Sequence, residues 1–178
     1  ACRAAADLYD NADNMTDRMA ALGVLANSEA PQREGALTDF QARFAGDANV
    51  IDKWFAVQAL AEVGDPLATA VVLMRRDDFS ISNPNRFRAL IGGFVANMAG
   101  FHRPDGAGYR LLADQILAVD RLNPQTAARF IAPLGRWRRF ETERAALMRG
   151  ELARILATKG LSKDVREMAG KSLGEAGR

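Results

Sequence analysis

Apolar residues recur at intervals of three and four along almost the whole chain, and this spacing constrains the fold more than any other feature. In an α-helix, residues so spaced lie on one face, so each run predicts a helix with one apolar stripe. Runs that alternate apolar with polar residues, as strands do, are absent from the sequence. The sequence therefore predicts an all-α fold. Clear examples of the spacing are Leu37, Phe40 and Phe44, then Leu112, Ile116 and Val119, and then Met148, Leu152, Ile155 and Leu156.

An Asp or Asn followed by Pro marks three predicted helix starts, at Asp65-Pro66, Asn83-Pro84 and Asn123-Pro124. An Asp or Asn side chain can cap the free amides, and Pro fits the first helical position because its missing N–H would be unpaired there. Weaker starts are predicted at Thr38, Asn49, Asp105 and Ser162. Together these signals predict about nine helices, over residues 3–27 (with a break near Asn11 to Asn14), 31–45, 49–63, 65–76, 84–98, 107–121, 124–139, 141–158 and 162–175, with Pro133 kinking or dividing the seventh.

The predicted connections are short, which favours antiparallel neighbours. Stacked antiparallel helix pairs would form an α-solenoid, a superhelix of the HEAT or armadillo kind. A regular array is not predicted, because no clean repeat with a period of about 34 or 40 residues is visible. We find no internal linker, so the sequence predicts one helical domain over residues 1–178.

Composition excludes several classes of function. The net charge is only +2, from 24 Lys and Arg against 22 Asp and Glu, so the sequence predicts no nucleic-acid partner. The longest apolar runs are far too short to cross a membrane, so no membrane association is expected. The single cysteine, Cys2, cannot form an internal disulfide, and no signal-peptide pattern is visible. Cytoplasmic localisation is therefore expected.

The chain is too poor in ligating side chains for a catalytic or metal site to be expected. It contains one histidine, His102, whereas catalytic zinc normally takes three protein ligands. No Gly-x-Ser-x-Gly motif accompanies His102 to make a catalytic triad, so a structural or solvent-exposed role is predicted for it. Asp105-Gly-Ala-Gly-Tyr109 lacks the remaining residues of a nucleotide-binding loop and is interpreted as a turn leading into a helix.

Basic residues mix with aromatic residues in the segment Arg136-Trp-Arg-Arg-Phe140, as they do in proteins that bind single-stranded nucleic acid. The segment closes a predicted helix, however, where cations interact favourably with the carbonyl end of the helix dipole. The favoured interpretation is a solvated helix end with Trp137 and Phe140 packed inward, and nucleic-acid binding is the weaker alternative.

Two pairs of polar residues are better candidates for a binding site. Arg86 and Arg88 lie in the first turns of a predicted helix, where the dipole disfavours cations, so each suggests a partner. That partner is either a carboxylate elsewhere in the chain or an anionic group of a ligand. Gln125 and Arg129 are four residues apart and are predicted to project from one helical face near its start. From these residues alone, a purely structural role is favoured for both pairs over ligand binding.

Six short segments carry a family resemblance. They are Asn14-Met-Thr-Asp17, Asp52-Lys-Trp-Phe55, Ser82-Asn-Pro-Asn-Arg86, Ala99-Gly-Phe-His102, Asp105-Gly-Ala-Gly-Tyr109 and Asn123-Pro-Gln125. These segments resemble segments found in the same order and at similar spacing in the bacterial aminopeptidase N group of the M1 zinc metallopeptidases, in the later part of its C-terminal helical domain. The resemblance covers approximately Asn14 to Phe140.

The resemblance implies a parent enzyme that removes N-terminal amino acids from peptides. Its zinc site would lie in a separate catalytic domain, so this chain is expected to hold no cofactor and to be inactive alone. Its expected partners are the catalytic and other domains of the same polypeptide and the peptide substrate. Gln125 resembles a glutamine that lines the pocket for the substrate's first side chain, while Arg88 and Arg129 resemble arginines on the leaving-peptide side of the cavity. The competing hypothesis is a free-standing HEAT-like scaffold that binds other proteins.

Overall fold

A computed structural model describes residues 2–174, and those residues form helices and connecting loops without any strand. None of these helices combines the length with the apolar character that crossing a membrane requires. The α-helices are α1 (Cys2–Asn11), α2 (Met15–Ala26), α3 (Gln32–Phe44), α4 (Ala48–Leu60), α5 (Pro66–Met74), α6 (Pro84–Phe87), α7 (Gly93–Ala96), α8 (Met98–Phe101), α9 (Ala107–Asp120), α10 (Pro124–Arg129), α11 (Ala132–Gly135), α12 (Thr142–Ala157) and α13 (Lys163–Leu173).

The chain divides into two compact units. The first comprises the residues up to Ser80 together with Asn85–Asn97, and the second comprises Ile81–Pro84 together with the residues from Met98 onward. In the first unit, each of α1 to α4 packs against the helix that follows it in the chain, and α4 also packs against α7. In the second unit, α9 packs against α10 and α12, and α13 packs against α10, α11 and α12. The prediction of a single domain over residues 1–178 stays a prediction.

Each unit has an apolar core built from the stripes that the residue spacing predicts. Large side chains that are fully removed from solvent belong to several helices in each unit, as burial of a continuous core requires. In the first unit these side chains are Leu22, Leu25, Phe40, Phe55, Phe87, Leu90, Ile91 and Phe94, and in the second they are Tyr109, Leu112, Ile116, Ile131, Leu134, Met148, Leu152, Ile155 and Val165.

Three of the predicted helix starts are confirmed by side-chain caps. The Asp65 side chain accepts from the amides of Leu67 and Ala68, and Pro66 is the first residue of α5. Asn123 caps α10 in the same way, again with Pro at the first helical position. Ser162 caps α13. The predicted break in the first helix is also present, since α1 ends at Asn11 and Asn14 caps α2.

Two of the weaker starts are wrong. Thr38 is an exposed residue in the middle of α3, which begins after Pro31. Asn49 lies inside the first turn of α4, and its amide is instead capped by the side chain of Asp47. Both errors have one cause. A polar residue that can cap a helix is equally acceptable on its solvent face, so identity alone does not fix the boundary.

The predicted helix over residues 84–98 differs from the structure in two ways. A π-helical turn over Arg88–Gly92 joins α6 to α7, and the helix ends at Asn97, whose backbone is extended. A short helix that the sequence analysis missed, α8, follows directly. The lack of a side chain at Gly93 allows this region to approach α4 closely. A Cβ at this position would lie 2.9 Å from the Cβ of Ala59. Helical periodicity does not distinguish an α-turn from a π-turn over so few residues.

The predicted helix over residues 124–139 is divided, as Pro133 indicated. It consists of α10, α11 and a 3-10 turn over Trp137–Arg139. Pro133 is the second residue of α11, a position where its missing N–H needs no partner within the helix. This division shortens α10 to six residues and so decides where Arg129 lies relative to the helix dipole.

Candidate functional site

The short helix α10 presents Gln125 and Arg129 together on its exposed face. Ala127 and Ala128 are buried on the opposite side, where α10 packs against α9 and α13. Among residues 2–174, neither Gln125 nor Arg129 has a side-chain hydrogen bond or ion pair. The amide and the guanidinium therefore share one face, with their hydrogen-bonding groups available to a ligand.

Arg129 does not lie near the start of a long helix, as the sequence analysis expected. It is the last residue of α10, where a cation interacts favourably with the helix dipole. Its position in the helix therefore gives no separate reason to expect a partner for Arg129. What remains is its exposure and its position one turn after Gln125.

Arg88 lies in the first unit, as the first residue of the π-helical turn. Its side chain is exposed, and its Nη1 donates to Oδ1 of Asn85 at 3.2 Å. Within residues 2–174 it takes part in no ion pair. The guanidinium thus keeps its full charge and most of its five N–H donors.

Arg86 behaves differently from Arg88, because its predicted partner is a carboxylate of the same chain. It is only 7% exposed and forms an ion pair with Asp52. Its guanidinium also donates to the backbone carbonyls of Asp78 and, at 3.4 Å, of Ala48. It lies over the ring of Phe55, 4.8 Å from the ring centre. Arg86 is therefore a structural residue, and of its two open alternatives the carboxylate is correct.

The network around Arg86 was not predicted from the sequence. Asp52 lies 34 positions earlier in the chain, in α4. Asp78 binds Arg76 through both carboxylate oxygens, at 2.8 and 2.9 Å. That hydrogen bonding with Arg76, reinforced by the charge of Arg86, lowers the pKa of Asp78. The available signal was the presence of Asp52 and Arg86 in two of the quoted motifs, although the motifs do not pair them.

His102 has the structural role predicted for it. Its Nδ1 lies 2.8 Å from the hydroxyl of the buried Tyr109, and its ring stacks on Phe140 with the centres 4.4 Å apart. Arg144 donates to the backbone carbonyl of His102 at 2.9 Å. Burial, with a smaller contribution from the charge of Arg144, lowers the pKa of His102. The imidazole is thus held in an aromatic cluster that favours its neutral form.

The glycines of Asp105-Gly-Ala-Gly-Tyr109 shape a turn into α9, as interpreted. Gly106 has a φ of +68°, in the left-handed region that favours glycine. Gly108 allows the backbone to pass close to the end of α8, because a Cβ there would lie 2.3 Å from the carbonyl oxygen of Phe101. Both glycines are explained by local packing.

The segment from Arg136 to Phe140 is used largely for internal contacts. The indole N–H of Trp137 donates to the carbonyl of Ser172 at 3.0 Å, and Arg138 donates to the carbonyls of Ser172 and Leu173 at the end of α13. The guanidinium of Arg138 also lies 4.1 Å from the centre of the Trp137 ring. Trp137 and Phe140 are half-buried, which agrees with the packed helix end that the sequence favours.

Metal binding is not supported by the arrangement of side chains. Within residues 2–174, no group of three or more His, Cys, Asp and Glu side chains is placed to hold a metal ion. The donor set does not fit zinc, which needs at least three protein ligands in a catalytic site.

Comparison with protein families identifies the kind of fold. Residues 1–174 match the family described as "Domain of unknown function (DUF3458_C) ARM repeats". Together with the helical structure of the described residues, this match confirms the predicted all-α, helical-repeat fold class.

Several curated relatives carry the name Aminopeptidase N. The chain is 47% identical to the protein from Caulobacter vibrioides over 167 residues, 42% identical to that from Haemophilus influenzae over 166 residues and 36% identical to that from Escherichia coli over 166 residues. Each alignment covers 93% of this chain and 19% of the relative. The chain therefore spans about a fifth of the length of these relatives.

A solved structure is also similar to the chain. The structure of Legionella pneumophila aminopeptidase A in complex with aspartic acid superimposes with a TM-score of 0.93 at 34% sequence identity, over 98% of this chain and 21% of that one. The curated relatives and this solved structure are all named aminopeptidases. The chain belongs to the DUF3458_C family of ARM repeats and is related to one C-terminal part of bacterial aminopeptidases.

Proposed function

We propose that this chain is the C-terminal helical part of an M1-family zinc aminopeptidase, which removes N-terminal amino acids from peptides, and that it forms one wall of the substrate cavity. The observation that carries this proposal is the similarity to proteins named Aminopeptidase N over 93% of the chain. The chain itself contributes no catalytic centre. Its role is to bind the peptide and to limit access to the cavity.

The exposed face of α10 supports the proposed binding role. Gln125 can donate and accept hydrogen bonds through its amide, which suits a pocket for the substrate's first side chain. Arg129 presents a guanidinium that can bind peptide carbonyls or a terminal carboxylate through charge-assisted hydrogen bonds. These groups orient a substrate; neither can activate water for hydrolysis.

Arg88 is proposed to bind the leaving-peptide side of the substrate. Its guanidinium is exposed and is not neutralised by a carboxylate within the described residues. It also lies in a π-helical turn, a feature that occurs frequently at functional sites. A cation held in this way can attract the carboxyl-terminal end of a short peptide.

Zinc belongs to the catalytic domain of the proposed parent. Bound there, it would polarise the scissile carbonyl and activate the attacking water. Within residues 2–174, no group of three or more His, Cys, Asp and Glu side chains is placed to hold a metal ion. We therefore derive no chemical step in this chain and assign it binding and orientation alone.

The isolated chain is expected to fold but to hydrolyse nothing, since it has a credible core and one histidine. Far-UV circular dichroism should report a helical protein, while an aminopeptidase assay with added zinc should give no turnover. Zinc and chelator should both leave the thermal midpoint unchanged, because no ligand set couples metal to folding. Turnover that co-purifies with the chain, or a midpoint that rises with zinc, would contradict the assignment.

Gln125→Ala in the full-length enzyme is expected to change the preference among first side chains. The truncation removes an amide from the proposed pocket, so substrates whose first side chain can hydrogen-bond should lose the most, by roughly tenfold in kcat/KM. The measurement compares kcat/KM across a series of aminoacyl amides. Gln115→Ala, a half-buried glutamine in α9, is the matched control. Equal loss for every substrate in the series would assign Gln125 a structural role.

The cytoplasm is the proposed location, in keeping with a single cysteine that cannot form an internal disulfide. The binding partners proposed are the catalytic and other domains of the same polypeptide and the peptide substrate, with no nucleic acid and no membrane. A free-standing scaffold is the less favoured alternative, because the relatives are about five times as long as the chain. An open reading frame that encodes this chain alone would favour the scaffold.

A further inference from the structure

We infer that Asn85 is a positioning residue for Arg88, which it holds in place without neutralising its charge. The inference rests on the proposed role of Arg88 in binding the leaving peptide. The geometry that carries it is the hydrogen bond from Arg88 Nη1 to Asn85 Oδ1, at 3.2 Å. The two residues are three positions apart, which places them on one face of a helical turn.

A side-chain amide as partner distinguishes Arg88 from several other arginines of the chain. Arg43, Arg144 and Arg154 each form an ion pair with a carboxylate, at 3.1, 2.7 and 2.6 Å. Arg88 instead donates to an amide oxygen and has no ion pair among residues 2–174. An amide oxygen fixes the direction of the guanidinium but leaves its charge available, whereas a carboxylate would compete with an anionic ligand.

The backbone that carries this pair is itself fixed. Arg86, between Asn85 and the π-helical turn, is buried and anchored to Asp52 and to the carbonyl of Asp78. Phe87 and Leu90 are fully removed from solvent. The exposed pair therefore projects from a turn whose neighbouring side chains are locked into the core. Because the backbone is fixed, the hydrogen bond with Asn85 determines the orientation of the Arg88 side chain.

In the full-length enzyme, Asn85→Ala is expected to raise the KM for a tripeptide by roughly threefold, because the substitution removes one modest hydrogen bond. The turnover number kcat should be unchanged, as should both parameters for a simple aminoacyl amide that has no leaving peptide. Asn85→Asp should raise KM further, by roughly tenfold, because a carboxylate pairs with the guanidinium and cancels its charge. Asn49→Ala, which changes an exposed asparagine in the first turn of α4, is the control and should change nothing.

The double variant Asn85→Ala/Arg88→Ala separates positioning from a merely structural role. If Asn85 acts through Arg88, the double variant should have the same KM as Arg88→Ala alone. Effects that multiply in the double variant, or a loss of kcat in Asn85→Ala, would overturn the inference. Raised KM in Arg88→Ala beside unchanged KM in Asn85→Ala would overturn it while leaving the proposed function intact. Unchanged KM in Arg88→Ala would overturn the proposed role of Arg88 and, with it, this inference.

Discussion

Gly108→Ala is expected to destabilise the second unit strongly, because the added methyl group would overlap backbone atoms. A Cβ at this position would lie 2.3 Å from the carbonyl oxygen of Phe101 and 2.8 Å from that of Gly100. Both contacts are to backbone atoms, so no side-chain rotation relieves them. Overpacking of this kind costs roughly 3 kcal/mol or more, which lowers the thermal midpoint by about 6–12 °C in a chain of this size.

Gly150→Ala is the matched control, because Gly150 lies in the middle of α12 and a Cβ there would meet nothing within 4 Å. In a helix interior this change should stabilise the chain by about 0.4–1 kcal/mol. Thermal unfolding followed by circular dichroism measures both variants. A midpoint for Gly108→Ala within about 2 °C of the parent, or above it, would show that the turn into α9 is looser than described.

Arg86→Ala should destabilise the first unit by about 3–5 kcal/mol, the cost of removing one partner from a buried ion pair. The side chains of Arg86 and Asp52 are 8% and 16% exposed, so the remaining carboxylate would be left largely desolvated. The substitution also removes the donors that satisfy the carbonyl of Asp78. Arg86→Lys should recover only part of the loss, because an ammonium group cannot reproduce the forked geometry of a guanidinium.

Arg43→Ala is the control, because it removes an arginine whose ion pair is exposed rather than buried. Its ion pair with Asp39 is 3.1 Å long, and the two side chains are 47% and 44% exposed, so its removal should change stability by less than about 1 kcal/mol. Urea denaturation of both variants gives the comparison. Equal and small losses for Arg43→Ala and Arg86→Ala would mean that the Arg86–Asp52 pair is not buried in solution.

Several helix boundaries were predictable from the sequence because their signals are local. Asp65 and Asn123 mark helix starts because a cap needs only a side chain and the next three amides. Pro133 marks a division for an equally local reason. The π-helical turn over Arg88–Gly92 was not predictable, because its spacing differs from that of an α-helix by too little over five residues.

The environments of the candidate site residues could not be predicted from the sequence. Arg86 and Arg88 look alike in the sequence, yet one is buried against Asp52 and the other is exposed beside Asn85. The difference depends on α4, which reaches Arg86 only through the tertiary fold. Nothing within three or four positions of Arg86 indicates that its carboxylate partner lies 34 residues earlier.

The central claim, that this chain walls the substrate cavity, is tested most directly by Arg129→Ala in the full-length enzyme. The change removes one charge-assisted contact, worth about 1.5–3 kcal/mol when desolvated and less where cavity water screens it. Because such a contact is made equally in the ground and transition states, KM should rise, by roughly tenfold, while kcat stays constant. The measurement is kcat and KM for a tripeptide and for a simple aminoacyl amide. The proposal predicts a raised KM for the tripeptide and almost no change for the amide, whereas an equal fall in kcat for both substrates would contradict it.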